Sequence, residues 1–226
     1  MFINLYNSIL MGNSECCYPG EKSHKPSFRC TYDVPDTNEV QIINDRGMFG
    51  YNSQIKSKIK ILNNNNLKED LVLKKKFNNI GINTIDFIID ENLTDMIYMF
   101  YDCKSLIKVE FFYIDTSRVT NMAYMFYGCN KLQSIIRLNL FNTSNINSMR
   151  GMFQGCNDLE YLDLSNFDIS NVRDMEYMFK GCSKLKEIKG IDKFNYSKNA
   201  NTNKMFDGCD ALNGNQINSN NNILKI

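Results

Sequence analysis

The chain holds 226 residues, 43% of them hydrophobic, and its 26 Lys+Arg against 25 Asp+Glu leave a formal charge of +1. That hydrophobic share excludes wholesale disorder, and the charge balance excludes a global field that would draw the molecule to nucleic acid or anionic lipid. No stretch of the sequence reaches the roughly 20 consecutive apolar residues of a membrane-spanning helix.

Residues 1–54 form the first segment. The opening "MFINLYNSILMG" is apolar in flavour, but it has no basic leader and is broken by Asn4, Asn7 and Ser8, so it does not read as a cleaved signal peptide. The prolines Pro19, Pro26 and Pro35 share the stretch between residues 12 and 40 with His24, Cys16, Cys17 and Cys30. Such turn-rich text with little periodicity predicts an irregular or disordered segment over 1–54. Its cysteines and histidine match no standard zinc spacing, so no metal is assigned; incidental thiols or an unassigned disulfide are the alternatives. "DRGMFGYN" at 45–52 echoes the Met-Phe-Gly text of the later chain without its cysteine and leucine columns, and is read as coincidence.

From Ile55 the pattern changes. Ile55, Ile59 and Ile61 are followed by four asparagines and then by Leu71 and Leu73 among charged residues. This predicts a β-hairpin lead-in over 55–79, suited to covering the apolar end of a repeat stack.

Residues 80–213 form that repeat. "MIYMFYDC" from Met96 recurs as "MAYMFYGC" from Met122, "MRGMFQGC" from Met149, "MEYMFKGC" from Met175 and "TNKMFDGC" from Thr202. Aligned on Met99, Met125, Met152, Met178 and Met205, the copies are 26, 27, 26 and 27 residues apart. In phase run Phe100, Phe126, Phe153, Phe179 and Phe206; Cys103, Cys129, Cys156, Cys182 and Cys209; and Leu106, Leu132, Leu159, Leu185 and Leu212. The extra residue of the longer steps falls near Ile136 and near Lys189 or Gly190. A fixed period of this size marks stacked units in which no single copy holds a core.

Within a unit, Val119, Met122, Met125, Phe126 and Cys129 fall on one face of a short helix. Thr116 and Ser117, or Thr120 and Asn121, are alternative caps, and Gly128, Gly155, Gly181 and Gly208 are suited to end it. "LEYLDL" from Leu159 supplies a half-buried strand. The predicted fold is therefore an α/β repeat solenoid: a stack of about five units, each a short strand plus a short helix, with a β-rich N-terminal lead-in. The five periodic cysteines are predicted as buried free thiols and the Met and Phe columns as core. Tyr98, Tyr124 and Tyr177 are predicted to lean outward, either half-buried or as a ridge for partners. The polar run after Leu212 predicts a C-terminal tail over 214–226.

Residues 159–185, "LEYLDLSNFDISNVRDMEYMFKGCSKL", closely resemble the BspA-type leucine-rich repeats, which combine Met-x-x-Met-Phe-x-x-Cys with an in-phase leucine motif. The resemblance spans about residues 80–213. It implies a curved leucine-rich-repeat stack of the kind found in bacterial and protist surface proteins, associated with adhesion and protein contact. The last copy departs from it through Thr202 and its polar sequel.

Catalytic chemistry has little to stand on: there is one histidine, no phosphate-cradling glycine loop and no carboxylate pair set apart by spacing. The expectation is a non-enzymatic binding module without cofactor or metal, and without nucleic acid as a partner. Its partner would be a protein or glycan met on the strand face, where Lys108, Glu110, Arg137, Tyr161, Asp163, Glu187 and Lys189 flank the buried columns. The alternatives are an intracellular scaffold using the same face and a structural paralogue without a ligand. A cell-surface or secreted location is implied by the resemblance alone.

Overall fold

The computed structural model describes residues 27–44, 55–194 and 199–212. Cys16, Cys17, His24, Met48 and the tail 214–226 lie outside them. Strands β1 (Phe28–Val34), β3 (Ile59–Leu62), β4 (Lys68–Asp70), β6 (Gly81–Ile89), β7 (Leu106–Phe111) and β8 (Ser134–Ile136) form one mixed sheet in the order β4-β3-β6-β1-β7-β8. β7 and β8 run parallel, and the other neighbours run antiparallel. Two smaller sheets pair β2 (Val40–Gln41) with β5 (Lys74–Lys75), antiparallel, and β9 (Tyr161–Asp163) with β10 (Glu187–Lys189), parallel.

Two expectations are overturned. The first is the α/β solenoid with a helix in every unit: the chain is mostly β, with open mixed sheets, and its α-helix among the described residues is the single turn α1 (Ile55–Lys58) in the lead-in. The Met-Phe-Cys segments are consecutive turns. Met99, Tyr101 and Cys103 donate their N–H groups to the carbonyls three residues back, whereas Met96, Tyr98, Phe100 and Asp102 donate to Asn121, Ala123, Met125 and Tyr127 of the next coil. An α-helix would turn every one of these groups to a partner within its own segment. Residues Tyr98, Tyr124, Gly151, Tyr177 and Lys204 also share a positive φ of 51 to 61°, which no α-helix interior admits. The spacing of apolar residues fits a succession of three-residue turns as well as it fits a helix, and the hydrogen-bond partners one coil away decide between them. Nor does a side chain cap a helix at Thr116: its buried hydroxyl donates to the Asn142 carbonyl of the next coil at 2.9 Å, as Thr143 does to Asp168 at 2.9 Å.

The second correction concerns residues 27–44, predicted to be irregular. "FRCTYDV" forms β1 in the middle of the large sheet, inserted between β6 and β7 with Arg29 opposite both Asp86 and Glu110. Phe28, Cys30, Tyr32 and Val34 all turn inward, and Phe28 stacks on Phe87 at 4.8 Å while meeting the edge of Phe100 at 5.9 Å. The buried Tyr32 hydroxyl donates to the Ile42 carbonyl at 2.7 Å. β3 and β4 pair as an antiparallel hairpin across the asparagine turn, shorter than the stretch expected over 55–79: Ile55 lies in α1, and Leu71 and Leu73 lie beyond the end of β4.

Beyond Phe28 the core is a set of parallel columns. Phe100, Phe126, Phe153, Phe179 and Phe206 stack with centroids 5.1, 5.7, 5.7 and 5.4 Å apart and planes within 10°. Each later cysteine thiol donates to the phenylalanine carbonyl of the preceding coil: Cys129 to Phe100 (2.9 Å), Cys156 to Phe126 (3.2 Å), Cys182 to Phe153 (3.1 Å) and Cys209 to Phe179 (2.9 Å). A thiol fills the core like a small apolar group and still satisfies a second lone pair of a buried carbonyl.

The extra residue of the longer units is taken up before short 3-10 turns at 138–140 and 191–193, by Arg137 (φ 61°) and Gly190 (φ 86°). At Gly190 a Cβ would lie 2.5 Å from the Ser165 Cα, against backbone that cannot swing aside. Gly190→Ala is expected to lower stability by about 2 kcal/mol or more, read as a lower urea midpoint at unchanged slope. Burial also raises the Cys30, Cys103, Cys129, Cys156, Cys182 and Cys209 thiols above their ordinary range. Unfolded thiols titrate near about 8.5 while the folded ones stay protonated, so this contribution is complete below that pH and lost above it. Urea midpoints measured from pH 8 to 10.5 are expected to fall, and Cys156→Val to flatten the fall.

Candidate interaction surface

The outward face of the parallel strands is built by simple alternation. Val109, Ile135, Leu162 and Ile188 point inward and are buried, so their neighbours point out. One row holds Lys108, Ser134, Tyr161 and Glu187, the next Glu110, Ile136, Asp163 and Lys189. All seven residues predicted for partner binding belong to this face or its edge. β8 and β9 touch but belong to separate sheets, with Arg137 bulging at the end of β8.

Most of the charge on this face is paired, although no ion pair among the described residues takes up Glu187. Asp86 holds Arg29 through two bonds of 2.6 and 2.8 Å, and Glu110 draws in Arg137 at 3.4 Å and Lys108 at 3.5 Å. Arg137 also lies over the Phe112 ring at 5.4 Å. Lys189 meets Asp163 at 3.1 Å. Burial acts to raise the Asp163 carboxyl, but the Ser165 hydroxyl and backbone N–H together with Lys189 outweigh it, so the carboxyl sits below its usual range. Exposed pairs of this kind add little to stability; they hold the side chains in place.

At the centre of these charges lie Tyr161, 46% exposed, and Ile136, 37% exposed. The spacing picks out the tyrosine. Ile136 escapes a spacing argument as a contact residue because it adjoins the inserted position, and Arg29 and Asp86 escape it because β1 does not read as a strand.

A second surface lies over the turns. Tyr98 stacks on Tyr124 at 5.4 Å and Tyr101 on Tyr127 at 4.6 Å, so these half-buried rings spend their faces on each other. In the next coil the tyrosine position is Gly151, where the Tyr124 ring comes within 2.6 Å of any added Cβ. Arg150 takes over there. Its Nε donates to the Tyr124 hydroxyl at 2.6 Å, its Nη1 pairs with Glu176 and lies 3.5 Å from Asp174, and its guanidinium covers the Tyr177 ring at 5.3 Å. The sequence signal for this cluster is the break in the tyrosine column at Gly151, directly after an arginine.

Among the described residues no group of three His, Cys, Asp or Glu side chains is arranged to hold a metal ion. The six cysteines among them are free and buried, and their raised titration leaves none poised as a thiolate nucleophile. No helix among them is long and apolar enough to cross a membrane.

A family model described as "Mycoplasma protein of unknown function, DUF285" matches residues 94–220, the whole repeat region from the first Met-Phe-Cys copy onward. The match takes in more than half of the chain, and the chain belongs to that family. No curated protein and no solved structure matches it.

The Asn203 amide at 3.1 Å leads the groups that hold the Glu176 carboxyl down to about 2, with Asn201 at 2.9 Å and Arg150 adding to it. A carboxylate depressed in the fold stabilises it above the unfolded value of about 4.3 and loses that effect as pH falls towards 2. Carbon-13 NMR of the side chain is expected to show Glu176 ionised at pH 3.5, and Asn203→Ala to move its titration upward.

Proposed function

We propose that this DUF285 family member is a non-enzymatic binding module that meets a protein or glycan partner on the outward face of its parallel strands. The observation that carries the reading is the exposure of Tyr161 and Ile136 on a face whose charges are mostly paired. An aromatic and an aliphatic group available for desolvation, ringed by polar side chains, is the anatomy of a protein contact patch. The ion pairs hold the frame in one geometry, so little side-chain freedom is lost on association.

The resemblance of residues 159–185 to BspA-type repeats supports adhesion at a cell surface as the setting. An intracellular scaffold would use the same face, and a structural paralogue would use none. Localisation of a tagged chain separates the first two: a protease-accessible signal on intact cells supports adhesion, and a wholly cytosolic one defeats it.

The face itself is tested by applying the labelled chain to a glycan array and to panels of immobilised surface proteins. Tyr161→Ala combined with Ile136→Ser is expected to weaken retention about tenfold or more, with the urea midpoint within about 0.5 kcal/mol of the parent, as suits exposed positions. Reversing charge at Lys108, Asp163 and Glu187 is expected to weaken it less. Retention unchanged by both sets of substitutions removes this face from consideration.

A further inference from the structure

After its strand, each of three successive coils passes through the same turn. Asp115-Thr116-Ser117, Asn142-Thr143-Ser144 and Asp168-Ile169-Ser170 follow one another down the stack. In each, the first side chain's Oδ1 accepts the N–H two residues on: Ser117 at 2.9 Å, Ser144 at 3.1 Å and Ser170 at 2.9 Å. Only an oxygen is needed for this bond, so aspartate and asparagine both serve. The middle residue is buried in every case, and the Thr116 and Thr143 hydroxyls each tie their turn to the next by a 2.9 Å bond to the carbonyls of Asn142 and Asp168.

At Asn142 this turn leaves a group over. The Oδ1 also accepts the Ser144 hydroxyl at 2.7 Å, the residue is exposed, and among the described residues no hydrogen bond meets its Nδ2. With Asp115 and Asp168 before and after it in the column, an amide avoids like-charge repulsion, but nothing in the turn uses its nitrogen. Asparagine, a residue other than proline, then a hydroxyl is the pattern to which asparagine-linked sugars are attached. The pattern also stands at Asn92-Leu93-Thr94, outside the repeated turn, and at 195–197, outside the described residues. At 142 it coincides with a turn whose other copies carry aspartate, which serve as internal controls.

We propose that Asn142 is a modification site that carries an asparagine-linked glycan. The site depends on the cell-surface setting proposed above, which brings the chain to a sugar-transferring enzyme. The donor is an oligosaccharide held on a polyprenyl diphosphate. The Asn142 Nδ2 forms a bond to C1 of the first sugar, the bond from C1 to the diphosphate oxygen breaks with its electron pair leaving on that oxygen, and one amide proton passes to a base of the enzyme. The Ser144 hydroxyl completes the pattern the enzyme reads. Transfer takes the tripeptide while it is extended, before Ser144 is drawn onto Oδ1. The finished coil accommodates the product, because the linkage leaves Oδ1 as a carbonyl oxygen and that atom closes the turn.

The tagged full chain is recovered from the cells used for localisation, and its peptides are mapped by mass. The peptide holding Asn142 is expected to carry the added mass of a sugar chain, lost in Asn142→Gln and in Ser144→Ala and kept in Ser144→Thr. Asp115→Asn is expected to add a second modified peptide, because Thr116 and Ser117 already complete the pattern there. A chain that is exposed at the surface and has no added mass at Asn142 overturns the site and leaves the binding reading standing. Added mass that survives Ser144→Ala, or that sits at Asn92 alone, overturns the site in the same way. A wholly cytosolic chain removes the surface setting and the site together.

Discussion

Everything in the repeat region depends on one hydrogen bond written four times over: the N–H of each phenylalanine to the methionine carbonyl one coil on. Phe100 to Met125, Phe126 to Met152, Phe153 to Met178 and Phe179 to Met205 span 2.8 to 2.9 Å. These bonds exist only between coils, so a single unit has nothing to close on; its buried donors would be left unpaired at a cost no unit of this size recovers. Because each such N–H is spent on the next coil, the Met-Phe-Cys segment turns instead of winding into a helix. The phenylalanine rings come into register as a consequence, and each thiol reaches back to the carbonyl it completes.

The N-terminal side solves the problem of beginning such a stack. An exposed first coil would present the Phe100 ring and unpaired strand backbone to water. β1 covers both: Phe28 meets the first ring of the column, and the strand's backbone pairs with β7 on one side and β6 on the other. The same insertion carries Arg29 onto the outer face, so the charge lattice that frames the proposed contact patch joins residues from the lead-in and the repeats. β3 and β4 extend the sheet further but stop short along β6, which β1 accompanies as far as Gly81.

Irregularities in the repeat do more to shape the surface than its regularity does. The extra residue at Arg137 is placed in a left-handed conformation where β8 ends, directly after the exposed Ile136. The loss of a tyrosine at Gly151 makes room for the Arg150 cluster. A perfect repeat would present identical rows and could not distinguish one position along its length from another; these departures are where a partner could find a single register.

The period, the columns and the inward residues were legible in the chain itself, because every unit repeats the same demand for burial and the demand shows as spacing. The β1 strand was not read: Phe28, Cys30, Tyr32 and Val34 alternate, but over so short a stretch between Pro26 and Pro35 the turn-forming residues drew the reading towards loop. What the amino acids alone did not decide was helix against turn. Apolar residues three and four apart satisfy both, and the deciding feature, whether an N–H bonds inside its own segment or to a coil 26 or 27 residues away, is a property of the assembled stack. The placement of β1 between β6 and β7 was likewise a tertiary outcome. Pairing across 47 to 83 residues of sequence, from Val34 with Gly81 to Phe28 with Phe111, leaves no local mark; it follows from which strand edges remain open once the coils have stacked.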